Sequence, residues 1–299
     1  ATGKASHRLT VFDAATGRVL RSVGSRGQAP GQFLRPNGVA VFGDHVFVTE
    51  RDNRRVQVLR LPDFAPAGSF GEAQLRSPYG LWLHEPEPGE LEIFVTDSFM
   101  YGERYDVVPP AHELDQRVRR YRVGFGPDGG VRARYLGSFG DTGAGALRMV
   151  ESLAGDPAND RLLIADEYKE RGSTLREYTL SGRFTGRSLP PRSFAAEAEG
   201  VVLWPCRDEG DAAAGGYWIA VDQLSPLTTF HVFERDSLAL AGSFQGATTS
   251  WTDGIALHAA ATPEFPFGAL FAVHADRAVT AFDLGEIVRV LGLSPACLE

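Results

Sequence analysis

PNGVAVFGDHVFVTERDNRRVQVLRLPDFAPAGSF, Pro36 to Phe70, holds the unit from which the fold is read. The polar–small pair Asn37-Gly38 opens an apolar run. A turn follows, then HVFVTE ending on Glu50, then VQVL from Val56, and the stretch closes on Ser69-Phe70. Short runs of alternating apolar residues between turn residues read as antiparallel strands, four of them here.

The unit recurs along the chain. Its opening pair reappears as Tyr79-Gly80, Glu151-Ser152, Glu199-Gly200 and Asp253-Gly254. The second run returns as EIFVTD to Asp97, RLLIAD to Asp166, YWIAVD to Asp222 and ALFAVH to His274. Third runs begin at Val118, Leu175, Phe230 and Val279, and closing pieces lie at Ser138-Phe139 and Ser243-Phe244. Ala1–Val23 reads as the last three strands of a further unit whose first strand is expected upstream of Ala1. Four short strands per repeat of this length mark a β-propeller. The expectation is a single all-β domain over residues 1–299, a six-bladed β-propeller with four-stranded antiparallel blades. An insertion at 99–119, with Pro109-Pro110 and a short helical turn, interrupts the third blade.

Composition agrees and excludes other classes. The 299 residues are 43% hydrophobic, enough for a large core, and the 34 glycines and 18 prolines supply frequent turns. The apolar runs are too short to span a bilayer as helices. With 30 Lys+Arg against 38 Asp+Glu, the net charge of −8 argues against a nucleic-acid partner. Cys206 and Cys297 have no metal-site spacing, which leaves a disulfide or two buried thiols. GxSxG, P-loop and HExxH motifs are absent from the sequence.

In a propeller, the start of the first strand and the end of the second meet at one mouth of the channel. The repeat therefore gathers Asn37, Tyr79, Glu151, Glu199 and Asp253 there, with Glu50, Asp97, Asp166, Asp222 and His274 in a neighbouring ring. Lys4, Arg51, Ser98, Glu167, Gln223 and Ala275 come one residue later. Carboxylates crowded together repel unless cations lie between them, and hard oxygen donors suit Ca²⁺. Acidic residues at strand ends are also ordinary turn formers.

Two resemblances rest on these residues. Residues 24–60, through PGQF, PNGVAV, VFVTE and NRRVQV, resemble an NHL repeat, which identifies a propeller blade. SPYGLWLHE, VESLAGDPANDRLLIADE, AEGVVLW, GYWIAVDQ with FHVFER, and TDGIAL with PEFPFGALFAVH are similar, in order, to segments of the bacterial β-propeller phytases (3-phytase-like). That resemblance implies a six-bladed, Ca²⁺-dependent phosphomonoesterase acting on inositol hexakisphosphate or a related phosphorylated small molecule. It places metal ligands on Glu151, Glu199 and Asp253, with Asp166 or Glu167 as a further one. It gives Tyr79 a catalytic role beside those acids, and Lys4 and Arg51 the role of binding substrate phosphate. It also implies a secreted or periplasmic protein, expected as a monomer. The family's Lys-Glu pair is Ser98-Phe99 here, and Asn37 is all that RPNGVAV shares with the family's first-blade motif. Arg104 in the insertion is the residue suited to replace the lost lysine. The alternatives are a non-enzymatic NHL-type binding propeller and a metal-dependent lactonase-like propeller.

Overall fold

Second and third strands carry the buried runs in the second to fifth blades. In the second blade Phe47, Val48, Val56 and Val58 are fully buried, whereas Val39 and Val41 of the first strand are 41% and 57% exposed. The computed structural model describes residues 1–206 and 215–298. The fold is all-β, a six-bladed β-propeller. Four blades have four antiparallel strands: Pro36–Phe42 to Ala65–Phe70, Pro78–Glu87 to Val131–Phe139, Val150–Asp156 to Phe184–Ser188, and Ala198–Pro205 to Leu240–Gln245. Thr2–Gly3, Arg8–Phe12 and Val19–Val23 form a three-stranded sheet, as does the last repeat.

By contacts the chain divides into two compact units. One is Ala1–Asp13, Gly17–Ser152 and Ser181–Gly186; the other is Ala14–Thr16, Leu153–Leu180 and Arg187–Glu299. In the first, Phe47, Val56 and Val58 of the second blade pack on Ile93, Val95 and Tyr121 of the third. In the second, Leu163 and Ala165 of the fourth blade pack on Trp218 and Ala220 of the fifth. Apolar area buried between sheets is therefore the cohesive force within each unit. Among the described residues no helix is long and apolar enough to cross a membrane.

The opening pair of the repeat forms a β-bulge in the second, third and fifth blades. Pro36 pairs with Glu50 and Val39 with Val48, so Asn37 and Gly38 together face Thr49. Tyr79-Gly80 faces Thr96 in the same way, and Glu199-Gly200 faces Val221. Glycine is required because a Cβ at Gly80 would lie 2.9 Å from the Glu151 carbonyl oxygen, and one at Gly38 2.8 Å from that of Tyr79. At Gly200 it would stand 3.1 Å from the Asp253 carbonyl oxygen. Threonine completes the joint in the first unit. Its Oγ1 accepts from the Gly38 or Gly80 amide at 2.8 Å and donates across to the next first strand. Thr49 reaches Tyr79 O at 2.5 Å and Thr96 reaches Glu151 O at 2.6 Å. Thr2 makes the matching bond to Asn37 O at 2.6 Å.

The acids that end the second strands are fully or almost fully buried, and Glu50, Asp97 and Asp222 hold the loop leading into their own blade. Glu50 accepts from Leu34 N and Arg55 Nε, Asp97 from Ser77 N and Arg119 Nε, and Asp222 from Ala195 N and Ala196 N. His274 Nδ1 accepts from Ser250 N. Burial pushes the Asp97 carboxyl up. Burial acts on Asp222 too, but His231 and the two amides outweigh it and leave that carboxyl below its ordinary range.

The last repeat departs from the expected four strands. Ile255–His258, Ala269–His274 and Ala278–Asp283 are followed by a helix, Leu284–Leu291. Asp283 caps it by accepting from Glu286 N, and Gly292 closes it at φ 64°. Leu284, Ile287 and Val288, at i, i+3 and i+4, pack against Phe230, Phe244 and Phe282. The local capping and period of this segment thus won over a fourth strand. Beyond it, Cys206 and Cys297 form a disulfide, which settles the two alternatives left by the sequence.

Thr96→Val keeps the shape of the joint and removes its hydroxyl, leaving the Gly80 amide short of a partner. A loss of about 1–3 kcal/mol in urea unfolding is expected. A second expectation concerns pH. Arg235 donates to both oxygens of the buried Asp156, at 2.6 and 2.8 Å, and Asn159 adds a third bond. Burial raises this carboxyl, yet Arg235 and Asn159 outweigh it and the net shift is downward. A depressed carboxylate contributes stability above its unfolded pKa of about 3.9, and that stability is lost as pH falls from there through the folded value. Asp156→Asn should therefore flatten the acid limb of a stability–pH curve.

Candidate functional site

In the first unit, the loops at the start of the third blade's first strand and the end of the second blade's second strand carry an excess of arginine. Arg51, Asp52 and Arg54 lie in the turn after Glu50, and Arg76-Ser77 leads into Pro78–Glu87. Together with Tyr105 they line an open depression of about 310 Å³. Three guanidinium groups against one carboxylate make it cationic in a protein of net charge −8. Arg51 pairs with Asp52 at 2.9 Å. Arg54 makes no ion pair among the described residues, and its backbone, like that of Tyr105, has a positive φ, 52° and 60°.

Arg76 joins the depression to the insertion. Its guanidinium stacks on Phe99 at 3.7 Å, donates to Tyr101 Oη at 2.9 Å and pairs with Glu113 at 2.8 Å. Arg76 and the Tyr101 hydroxyl hold the Glu113 carboxyl below its ordinary range. The root of the insertion is packed: Phe99 and Arg117 are buried, and Arg117 donates to the carbonyls of Asp97, Phe99, Leu147 and Arg148. A 3₁₀ turn spans Ala111–Gln116. The exposed tip at Gly102–Tyr105 therefore projects from a fixed base, and it is Tyr105 that lines the depression. Arg104 is exposed and is not among the lining residues.

Two of the residues singled out in the sequence meet directly. Lys4 Nζ donates to Tyr79 Oη at 2.8 Å and stands 4.8 Å from the ring centroid. Tyr79 occupies the bulge at the start of the third blade, and Arg51 lines the depression described above. Glu151, in the same unit, is 4% exposed, with its carbonyl held by Thr96.

The remaining candidates belong to the second unit. Glu199 is 4% exposed at the bulge of the fifth blade. Asp253 accepts a short hydrogen bond from Gln223 Nε2. Asp166 is bound to Arg176 Nε at 3.2 Å and to Tyr168 N, so its charge is already compensated. Glu167 follows it, and its charge, after that of Glu197, supports the Lys169 ammonium. Among the described residues no three His, Cys, Asp or Glu side chains come together as a group that could hold a metal.

The sequence reading missed the threonine joint, Arg54, Arg76 and Tyr105. The threonine had a signal, the Thr directly before Glu50 and Asp97 in two successive repeats. The partners of the second-strand acids had one too, a basic residue early in the third strand, as at Arg55, Arg119 and Arg176. Arg76 and Tyr105 had none, since they meet through an insertion whose path the sequence does not specify.

Comparison with known proteins bears on the fold. The NHL repeat family matches residues 33–59, a single blade. No curated protein matches the chain in sequence. Among solved structures, Kuenenia stuttgartiensis hydrazine synthase is similar at 14% identity and a TM-score of 0.53, over 98% of this chain and 75% of that one. The nidogen/laminin complex gives 16% and 0.54, over 94% and 90%. A candidate 6-phosphogluconolactonase from Bacteroides uniformis gives 18% and 0.53, over 95% and 76%. Enzymes and a binding protein thus share the architecture, and at these identities the likeness is one of fold: the chain is a β-propeller with an NHL-type blade.

Proposed function

We propose that this propeller binds a phosphorylated small molecule at the arginine-lined depression of its first unit and acts on it as a phosphomonoesterase of phytase type. The observation that carries the reading is the convergence of Arg51, Arg54 and Arg76 on one open depression in an acidic protein. Guanidinium groups match phosphate oxygens two at a time, and Lys4 supplies a point charge. Lys4 donating to Tyr79 Oη polarises the phenol, which suits Tyr79 to donate to a phosphate oxygen. Preorganised donors of this kind stabilise charge that develops during phosphoryl transfer. Similarity in order to phytase segments supports the substrate class. The disulfide supports a secreted or periplasmic setting, since such bonds persist where the compartment is oxidising.

The Ca²⁺ requirement implied by the same resemblance belongs to this proposal as an arm of its test. Among the described residues no three His, Cys, Asp or Glu side chains are grouped to hold a metal, and no step is assigned to one.

Phosphate release from inositol hexakisphosphate, with and without added Ca²⁺, is the direct assay. Release above the uncatalysed rate is expected, and its absence under both conditions would sink the enzymatic reading. A phosphorylated lactone as a parallel substrate separates the lactonase-like alternative, because opening that ring liberates no phosphate. Arg54→Ala should lower kcat/KM by about 10–100-fold with little change in Tm, as expected for one lost charge-assisted contact to a phosphoryl group. Tyr105→Ala should alter the relative rates on large and small phosphate monoesters, since its ring borders the depression. Identical rate ratios in the variant and the parent would remove the insertion from substrate selection.

A further inference from the structure

The chain has four tryptophans. Trp204 and Trp218 are fully buried and donate their indole N–H to the carbonyls of Cys297 and Arg235. Trp82 stacks on His84 with ring centroids 4.8 Å apart. Trp251 differs from all three. It is 53% exposed, and among the described residues it makes no hydrogen bond and no ring contact.

Its backbone is also unusual, with φ at 49°. That region is costly for a bulky side chain and free for glycine. Arg35, likewise two residues before the opening pair of its repeat, has φ 51°, whereas the equivalent Ser77, Met149 and Glu197 have no positive φ. What is particular to the last repeat is an aromatic ring at a position where glycine would relieve the strain. The segment is firmly held on both sides. Thr249 and Thr252 are buried; Thr228 N donates to Thr249 O, Ser250 N to His274 Nδ1, and Thr252 N to Thr228 Oγ1. Strain kept at a firmly held position, on a tryptophan left more than half exposed, is a mark of a ligand contact.

Polar residues flank Trp251 along the chain: Thr248, Ser250, Thr252 and Asp253. Asp253 is bonded to Gln223, and both are partly exposed. The pair offers carboxylate acceptors and an amide that both donates and accepts.

We propose that Trp251 is a stacking platform for the C–H face of a cyclic polyol or pyranose ring, with the Asp253–Gln223 pair hydrogen-bonding that ring's hydroxyls. The negative face of an indole attracts the electropositive C–H bonds of a hydroxyl-bearing ring. A carboxylate with a neighbouring amide suits adjacent hydroxyls, which donate and accept at once. An oily ligand or an apolar protein surface would find polar residues on both sides of Trp251 in the chain. The assignment concerns the second unit alone and needs no phosphate on the ligand, so it stands or falls independently of phosphate release.

Acrylamide quenching of tryptophan fluorescence in the full chain tests it, because Trp251 is the most exposed fluorophore. Myo-inositol and methyl α-glucoside serve as probes. Saturable shielding of the quenchable fraction by at least one is expected. Affinity for that probe, measured by calorimetry, should fall by about tenfold or more in Trp251→Ala and Trp251→Gly and be largely kept in Trp251→Phe. Trp251→Gly separates the roles: a platform predicts an unchanged or higher Tm with lost binding, whereas a structural tryptophan predicts a lower Tm. No shielding by either probe, undiminished binding in Trp251→Gly, or a lowered Tm in that variant would each overturn the proposal. So would shielding by a flat aromatic probe such as p-nitrophenol where both polyols fail.

Discussion

A threonine hydroxyl inserted between neighbouring first strands is the contact on which the rest of the first unit depends. Thr2, Thr49 and Thr96 donate to the carbonyls of Asn37, Tyr79 and Glu151. Thr49 and Thr96 also accept the amide of the bulge glycine in their own blade. Two backbone groups that a bulge leaves outside the ladder are thereby satisfied by one side chain. The glycine then allows the next strand to come within van der Waals range. The same bond fixes the backbone of Tyr79 and Glu151, so architecture and candidate site share one joint.

Electrostatics is divided between two tasks that look alike in sequence. The acids at the ends of the second strands are interior struts, each holding a loop by its amides and several answered by a base from the third strand. A buried carboxylate without such partners would be costly, which explains why the base accompanies it. The opening residues of the repeats are different, since the bulge frees their side chains from the ladder. Crowded acids in the repeat pattern therefore do not by themselves amount to a metal site.

Cationic character in the first unit arises from loops rather than from the repeat. Arg51 and Arg54 come from one turn, Arg76 from another, and Tyr105 from the insertion, which Arg76 fastens through Phe99, Tyr101 and Glu113. Loops set on a rigid sheet framework are where a propeller can change ligand without changing fold. The shared architecture of the similar solved structures, enzymes and a binding protein among them, illustrates the same separation.

The repeat itself was legible in the residues. Period-two alternation and recurring turns set the strands, and the polar–small pair marked the second residue of four first strands, because burial between sheets imposes that pattern on any propeller. The close approach behind Gly38, Gly80 and Gly200 is also a sequence constraint, since no other residue lacks the Cβ. Pairing in space lay outside the sequence. Which base paired with Asp166, whether the last repeat ended in a strand or the Leu284–Leu291 helix, and which insertion residue lined the depression with Arg51 were decided by tertiary structure. Each depends on distances between segments far apart in the chain, and a linear pattern carries no information about which of several compatible charges or apolar faces will meet.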